Sequence, residues 1–130
     1  MIDQSIRSYI LADSSITSKL ATNGVYPQRL PQEVDKPCIV YTVQDGIESL
    51  VAGGVSALRR YQVDLTVFAE KYSEMREITQ ALVLSMNGLS TTQSGDLIQG
   101  CRCHNIVNDF EETLQLYTST LDLVLIIKES

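Results

Sequence analysis

The chain has 130 residues, 44% of them hydrophobic, so residues 1–130 are long enough to bury a core as a single α+β domain. Its 16 acidic residues outnumber its 10 Lys and Arg residues, and the net charge of −6 argues against a protein that grips phosphate backbones or anionic lipid. The sequence contains neither an apolar run long enough to cross a bilayer nor a signal peptide pattern, so we expect a non-exported protein without membrane contact.

Apolar residues at helical spacing open the chain. Ile2, Ile6 and Ile10 share one helical face and predict a helix over residues 3–11. Asp13 follows at a position where its carboxylate can cap a second, short helical turn. We therefore expect two consecutive helical segments at the start of the fold.

All three prolines lie between Pro27 and Pro37. Each proline fixes its own φ, lacks an N–H donor and pushes the preceding residue towards extended backbone. This stretch is expected to form a strap across the surface, neither helix nor central strand.

Two strand-like segments flank a glycine pair in the middle of the chain. Residues 38–52 and 55–69 lie on either side of Gly53-Gly54, which suits the positive φ angles of a two-residue hairpin turn. The resulting hairpin places Glu48 opposite Arg59, a favourable pair of charges across the two strands. The same stretch can instead form a loop over residues 46–58.

A two-residue turn at that point also predicts the strand register. It pairs Cys38 with Ala69 and Thr42 with Leu65, which gathers most apolar side chains on one face. The large apolar side chains left for the other face of the sheet are Ile39, Tyr41, Phe68, Val124 and Ile126. These side chains are costly to expose to water, so we expect self-association to cover part of that face.

The second half of the chain contains a helix and two further strands. Ser73 is the predicted N-cap of a helix whose apolar stripe is Met75, Ile78, Leu82, Met86 and Leu89. Strands are predicted over residues 97–107 and 114–128, joined by an acidic turn at residues 108–112.

This order of elements predicts an α+β fold: an antiparallel β-sheet with two helices packed on one face and a long protruding β-hairpin. The tip of the hairpin carries apolar residues with few charges between them, namely Ile47, Leu50, Val51, Val55 and Leu58. A projecting apolar hairpin is typical of an arm that contacts another subunit or partner. The alternative that the tip folds back on its own sheet stays open.

Residues with catalytic or metal-binding chemistry do not form a convincing site. His104 is the only histidine, and no Ser, Cys or Asp stands at a recognised catalytic spacing from it. In an extended strand Cys101 and Cys103 share one face while His104 points away, and a closed zinc site needs four ligands. We interpret these residues and Cys38 as reduced thiols in or near the core, and expect no catalytic residue, metal or cofactor.

An ordered series of short motifs runs through nearly the whole chain. The motifs are Val25-Tyr26-Pro27, Leu30-Pro31-Gln32, Pro37-Cys38-Ile39-Val40-Tyr41, Gly53-Gly54 and Arg60-Tyr61-Gln62-Val63-Asp64-Leu65. With the N-terminal helix, Tyr72, the helix around residues 78–82 and a closing strand over residues 117–124, the chain resembles the tail-completion or tail-terminator proteins of long-tailed bacteriophages and prophages. The family often has an aromatic residue where Cys38 stands and another in the last strand, and this chain departs from it there.

The resemblance implies a structural protein that forms a ring, commonly a hexamer, at the head-proximal end of the virion tail after assembly in the host cytoplasm. Such a ring caps the tail tube, terminates tail polymerisation and provides the head-tail joining interface. The implied partners are other copies of the chain, the tail tube protein and the head-tail connector proteins. DNA passes through without specific binding, and no reaction is involved.

The resemblance also implies roles for particular residues. The hairpin tip contacts a neighbouring subunit or tail partner, and acidic residues line the channel, for which Glu48 and Glu111 are the candidates. The negative net charge agrees with this, because a channel in which DNA slides should repel phosphate.

Three other functions stay open at this point. A neck or connector protein with similar ring geometry is the nearest of them. A small dimeric α+β ligand-binding or regulatory domain predicts a hairpin tip that can be shortened without harm. An enzyme predicts that replacing His104 or Cys101 abolishes activity without altering assembly.

Overall fold

A computed structural model describes residues 2–20, 24–30, 35–44, 58–88, 91–93 and 96–128. Over these residues the elements are α1 (Ile2–Ala12), α2 (Ser14–Thr17), β1 (Val25–Pro27), β2 (Cys38–Gln44), β3 (Leu58–Ala69), α3 (Tyr72–Met86), β4 (Thr91–Gln93), β5 (Asp96–Glu111) and β6 (Leu116–Lys128). A search for membrane-spanning segments among the described helices finds none of sufficient length and hydropathy.

The strands form one six-stranded sheet in the order β1-β2-β3-β6-β5-β4. Every neighbouring pair is antiparallel except β1 and β2, which run parallel. The predicted α+β fold is therefore confirmed, with one parallel pair at the edge. The proline-containing segment supplies the edge strand β1. Pro27 has no backbone N–H, which is tolerated there because the outer side of an edge strand does not hydrogen-bond to a further strand.

Helix α3 covers one face of the sheet with the predicted apolar stripe. Its fully buried apolar side chains are Met75, Ile78, Leu82 and Met86, and Leu89 of the predicted stripe lies outside the described residues. The helix begins earlier than predicted, because Lys71 takes the N-cap position with extended backbone and no side-chain cap. Ser73 therefore lies inside the first turn.

Helices α1 and α2 pack on the same side and are linked to α3 by polar contacts. Asp13 caps α2 as predicted, its carboxylate accepting a 2.9 Å hydrogen bond from the Ser15 N–H. The Ser85 hydroxyl donates to the other oxygen of Asp13 over 2.6 Å, and the Tyr9 hydroxyl donates to the Ser85 carbonyl over 3.0 Å. Hydrogen bonds from Ser15 and Ser85 lower the pKa of Asp13. Its carboxylate links α2 to α3, and the contact between Tyr9 and Ser85 links α1 to α3.

The register between β2 and β3 differs from the prediction by one residue. Cys38 pairs with Phe68, not with Ala69, and Ile39 pairs with Val67. Ile39 and Tyr41 therefore belong to the buried core beneath the helices, not to the opposite face. The observed register is favoured because it buries two large apolar side chains on the core face, where the predicted one would have placed Cys38 and Thr42.

The long hairpin of β5 and β6 also differs from the prediction. Residues 108–111, read as part of a turn, continue β5, and the turn falls at residues 112–115. Phe110 pairs with Tyr117 in register, and their rings meet edge to face with centroids 4.9 Å apart. This aromatic contact and the continued ladder outweigh the turn preference of Asn108 and Asp109.

Candidate functional site

Most of the predicted interaction arm cannot be compared with the structure. Of its members, Ile47, Leu50, Val51 and Val55 lie outside the described residues, as does Glu48. Leu58 is the first residue of β3, and Glu111 is the last residue of β5 and is exposed. The tip therefore stays a prediction.

The end of the β5–β6 hairpin, residues 105–116, presents apolar side chains to solvent. Ile106, Val107, Phe110 and Leu114 are 38%, 52%, 37% and 48% exposed. Val107 pairs with Thr120 whereas Ile106 pairs with Leu121, so exposed apolar groups stand on both sides of the ribbon. We call residues 105–116 the hairpin end.

The hairpin end is also acidic. Asp109, Glu111 and Glu112 are exposed there, and residues 105–116 contain no Lys or Arg. Tyr117 supports this end by contacting both Phe110 and Tyr72 edge to face, the second pair with centroids 5.7 Å apart. An apolar surface bordered by carboxylates matches a partner that has apolar groups and positive charge.

Positive charge gathers nearer the middle of the same ribbon, on the sheet face away from the helices. Arg60 pairs with Ile126, and Arg102 pairs with Val124. The two arginines and His104 border a groove that also includes Gly100, Val124 and Ile126. We call this the basic groove. Sequence reading found no basic face, because Arg60 and Arg102 meet only when β3 and β5 pair with β6.

A carboxyl pair occupies the middle of this sheet face. Asp64 on β3 lies directly opposite Asp122 on β6, next to Thr66 and Thr120, whose hydroxyls are 3.2 Å apart. Burial raises the pKa of Asp64, and the neighbouring Asp122 raises it further through a hydrogen bond and its charge. Both effects favour the protonated form of the Asp64 carboxyl. Sequence reading missed this pair because it depends on the β3–β6 register.

Replacing Asp64 with asparagine should stabilise the fold at neutral pH. A carboxyl whose pKa is raised by folding contributes its full stability to the fold at a pH below its unfolded-state pKa. That contribution is lost as the pH rises through its folded-state pKa. Asp64→Asn has no carboxyl at this position and does not lose stability in this way. We expect its free energy of unfolding at neutral pH to exceed that of the wild-type chain by about 0.5–1 kcal/mol, the upper part of the range for a cross-strand pair. Thermal unfolding at pH 4 to 8 measures it.

The control for that experiment is Asp35→Asn, which makes the same chemical change at an exposed carboxylate. The gain of Asp64→Asn over the wild-type chain should grow from pH 4 to pH 8, while Asp35→Asn stays close to wild type throughout. An equal gain at every pH would show that repulsion within the pair is not its cause.

The cysteines show no sign of reactive chemistry. Burial raises the pKa of the Cys38 thiol to about 11 and that of the Cys101 thiol to about 12, so both are protonated at neutral pH. His104 is exposed beside a β-bulge. In the part of the chain that the structure describes, His, Cys, Asp and Glu side chains nowhere gather in the threes that would hold a metal ion.

These features describe an α+β protein whose six-stranded sheet carries an apolar and acidic hairpin end and a basic groove. In fold it is similar to a chain in the solved structure of the virion of a native gene transfer agent particle, with a TM-score of 0.73 at 12% sequence identity. The match covers 95% of this chain and 92% of that chain. Comparison with curated protein sequences gives no match.

The family model of tail completion protein gp17 matches residues 4–128. The chain therefore belongs to this tail completion family, as the sequence motifs indicated. It is a structural protein of bacteriophage-type virions.

Proposed function

We propose that this chain, folded as one domain over residues 1–130, forms a ring that caps the tail tube, terminates tail polymerisation and provides the head-tail joining interface. The observation that carries the proposal is the family match over residues 4–128. The likeness in fold to a virion chain supports it. A hexamer at the head-proximal end of the tail is the form we propose.

The surfaces of the described residues suit such an assembly role. The hairpin end exposes four large apolar side chains, which a protein working alone in water has little reason to keep together. In the proposed ring they contact protein: another copy, the tail tube protein or a head-tail connector protein. The ring catalyses no reaction, and DNA passes through it without specific binding.

Two residue assignments belong to this proposal. The hairpin tip with Ile47, Leu50, Val51, Val55 and Leu58 contacts a neighbouring subunit or tail partner. Glu48 and Glu111 line the channel, where carboxylates repel the phosphates of passing DNA. The exposure of Glu111 at the end of β5 is compatible with that position.

The test is electron microscopy of particles made by a phage or prophage genome that lacks this chain. We expect free heads, free tails and a broadened distribution of tail lengths, with joined particles restored when the wild-type chain is supplied. Leu50→Asp and Val55→Asp should fail to restore them. Leu84→Asp is the matched control, because Leu84 is an apolar residue that is 84% exposed on α3.

Joined particles of normal tail length in the absence of the chain would overturn the proposed function. If the chain is required but Leu50→Asp and Val55→Asp restore normal tails as well as Leu84→Asp does, the function stands and the assignment of the hairpin tip is wrong.

A further inference from the structure

The β5–β6 ribbon carries two complementary surfaces. The hairpin end presents apolar side chains bordered by Asp109, Glu111 and Glu112. The basic groove presents apolar side chains bordered by Arg60, Arg102 and His104. Each surface offers the apolar contact and the charge that the other lacks.

Within one chain the acidic residues and Phe110 of the hairpin end cannot reach the arginines of the groove. Arg102 and Phe110 lie on the same strand, β5, eight residues apart, which at about 3.3 Å per residue is roughly 25 Å. Both are held in the ladder with β6, where Arg102 pairs with Val124 and Phe110 pairs with Tyr117. Phe110 and its acidic neighbours are thus kept away from the arginines of their own chain.

We propose that the hairpin end of one copy docks in the basic groove of the next copy. The occupant is a second copy of this chain, because the same chain carries both members of a charge-complementary pair and holds them apart. A contact between two different patches is head-to-tail, and it repeats from copy to copy until a ring closes. The inference rests on the proposed ring and supplies its subunit contact.

Charge reversal tests this contact. The double variant Asp109→Arg with Glu112→Arg, and separately Arg60→Glu with Arg102→Glu, should each raise the concentration for half-maximal assembly by at least about tenfold. The chain that carries all four reversals should recover assembly, because the two surfaces are again complementary. Native mass spectrometry over a concentration series measures the assembly, alone and with tail tube protein.

The matched control is Asp35→Arg with Glu77→Arg, which makes the same change in net charge as the acidic double variant at exposed positions outside both surfaces. It should assemble like the wild-type chain. Circular dichroism and thermal unfolding confirm that each variant is folded, so a loss of assembly that the fourfold reversal rescues cannot be attributed to unfolding.

The outcomes separate the contact from the ring. A ring whose assembly is unaffected by the reversals overturns the contact and leaves the proposed function standing. A closed dimer that responds to the reversals and their rescue supports the contact and overturns the ring. Absence of self-association under both conditions overturns both. If reversal of the groove changes only the binding of a duplex DNA probe and leaves assembly unchanged, the contact is overturned and the ring stands.

Discussion

Replacing Leu82 with alanine should lower the free energy of unfolding by about 2–5 kcal/mol. Leu82 is fully buried in the stripe of α3 that packs on the sheet, so the shorter side chain loses apolar burial and leaves a cavity. Denaturant unfolding followed by circular dichroism measures the change.

Leu84 provides a matched control two residues further along the same helix. It is 84% exposed, so Leu84→Ala removes the same atoms from solvent and should change the free energy of unfolding by less than about 0.5 kcal/mol. Similar losses in the two variants would mean that α3 does not pack through the Leu82 face.

Replacing Val63 with lysine should have a still larger effect. Val63 lies in the middle of β3 with no solvent exposure, on the core face between Val43 of β2 and Leu123 of β6. An ammonium group without a partner in that position costs several kcal/mol, a large part of the stability of a domain of this size. We expect a chain that is mostly unfolded or insoluble, as measured by soluble yield and circular dichroism.

Gln62→Lys introduces the same side chain one residue earlier, on the exposed face of β3. Its neighbour on that face is Asp64, whose negative charge a lysine can compensate, so we expect stability within about 0.5 kcal/mol of wild type. A soluble, fully folded Val63→Lys chain would contradict the observed alternation of faces along β3.

The repeat of apolar residues along the sequence predicted those elements in which the apolar residues form the face buried in the core. The stripe of α3 from Met75 to Met86 and the row of buried leucines in β6 repeat at the helical and strand periods because those faces meet the core. The Asp13 cap was also predictable, since it depends only on neighbouring residues.

Features that depend on partners distant in sequence were not predictable in this way. The β2–β3 register was derived from a glycine pair, whereas burial of Ile39 and Tyr41 decides it. The continuation of β5 to Glu111 depends on its pairing with β6, which outweighs local turn preferences.

The candidate surfaces also differ in whether their residues are neighbours in sequence or are brought together by the fold. The acidic residues of the hairpin end are adjacent in sequence, and Glu111 was named among the site residues through the family resemblance, as a channel-lining residue. Arg60 and Arg102 are far apart in sequence and form one groove only through the strand order β3-β6-β5. The sequence therefore indicated an assembly protein by resemblance, while the basic groove required the fold.

The most direct test of the account is the absolute mass of the purified chain in solution, measured across a concentration series with and without tail tube protein. We expect a species close to six chains, either alone or once tail tube protein is present. A stable dimer under every condition would contradict the ring and favour a dimeric ligand-binding or regulatory domain, and a monomer that tail tube protein does not assemble would also contradict the ring.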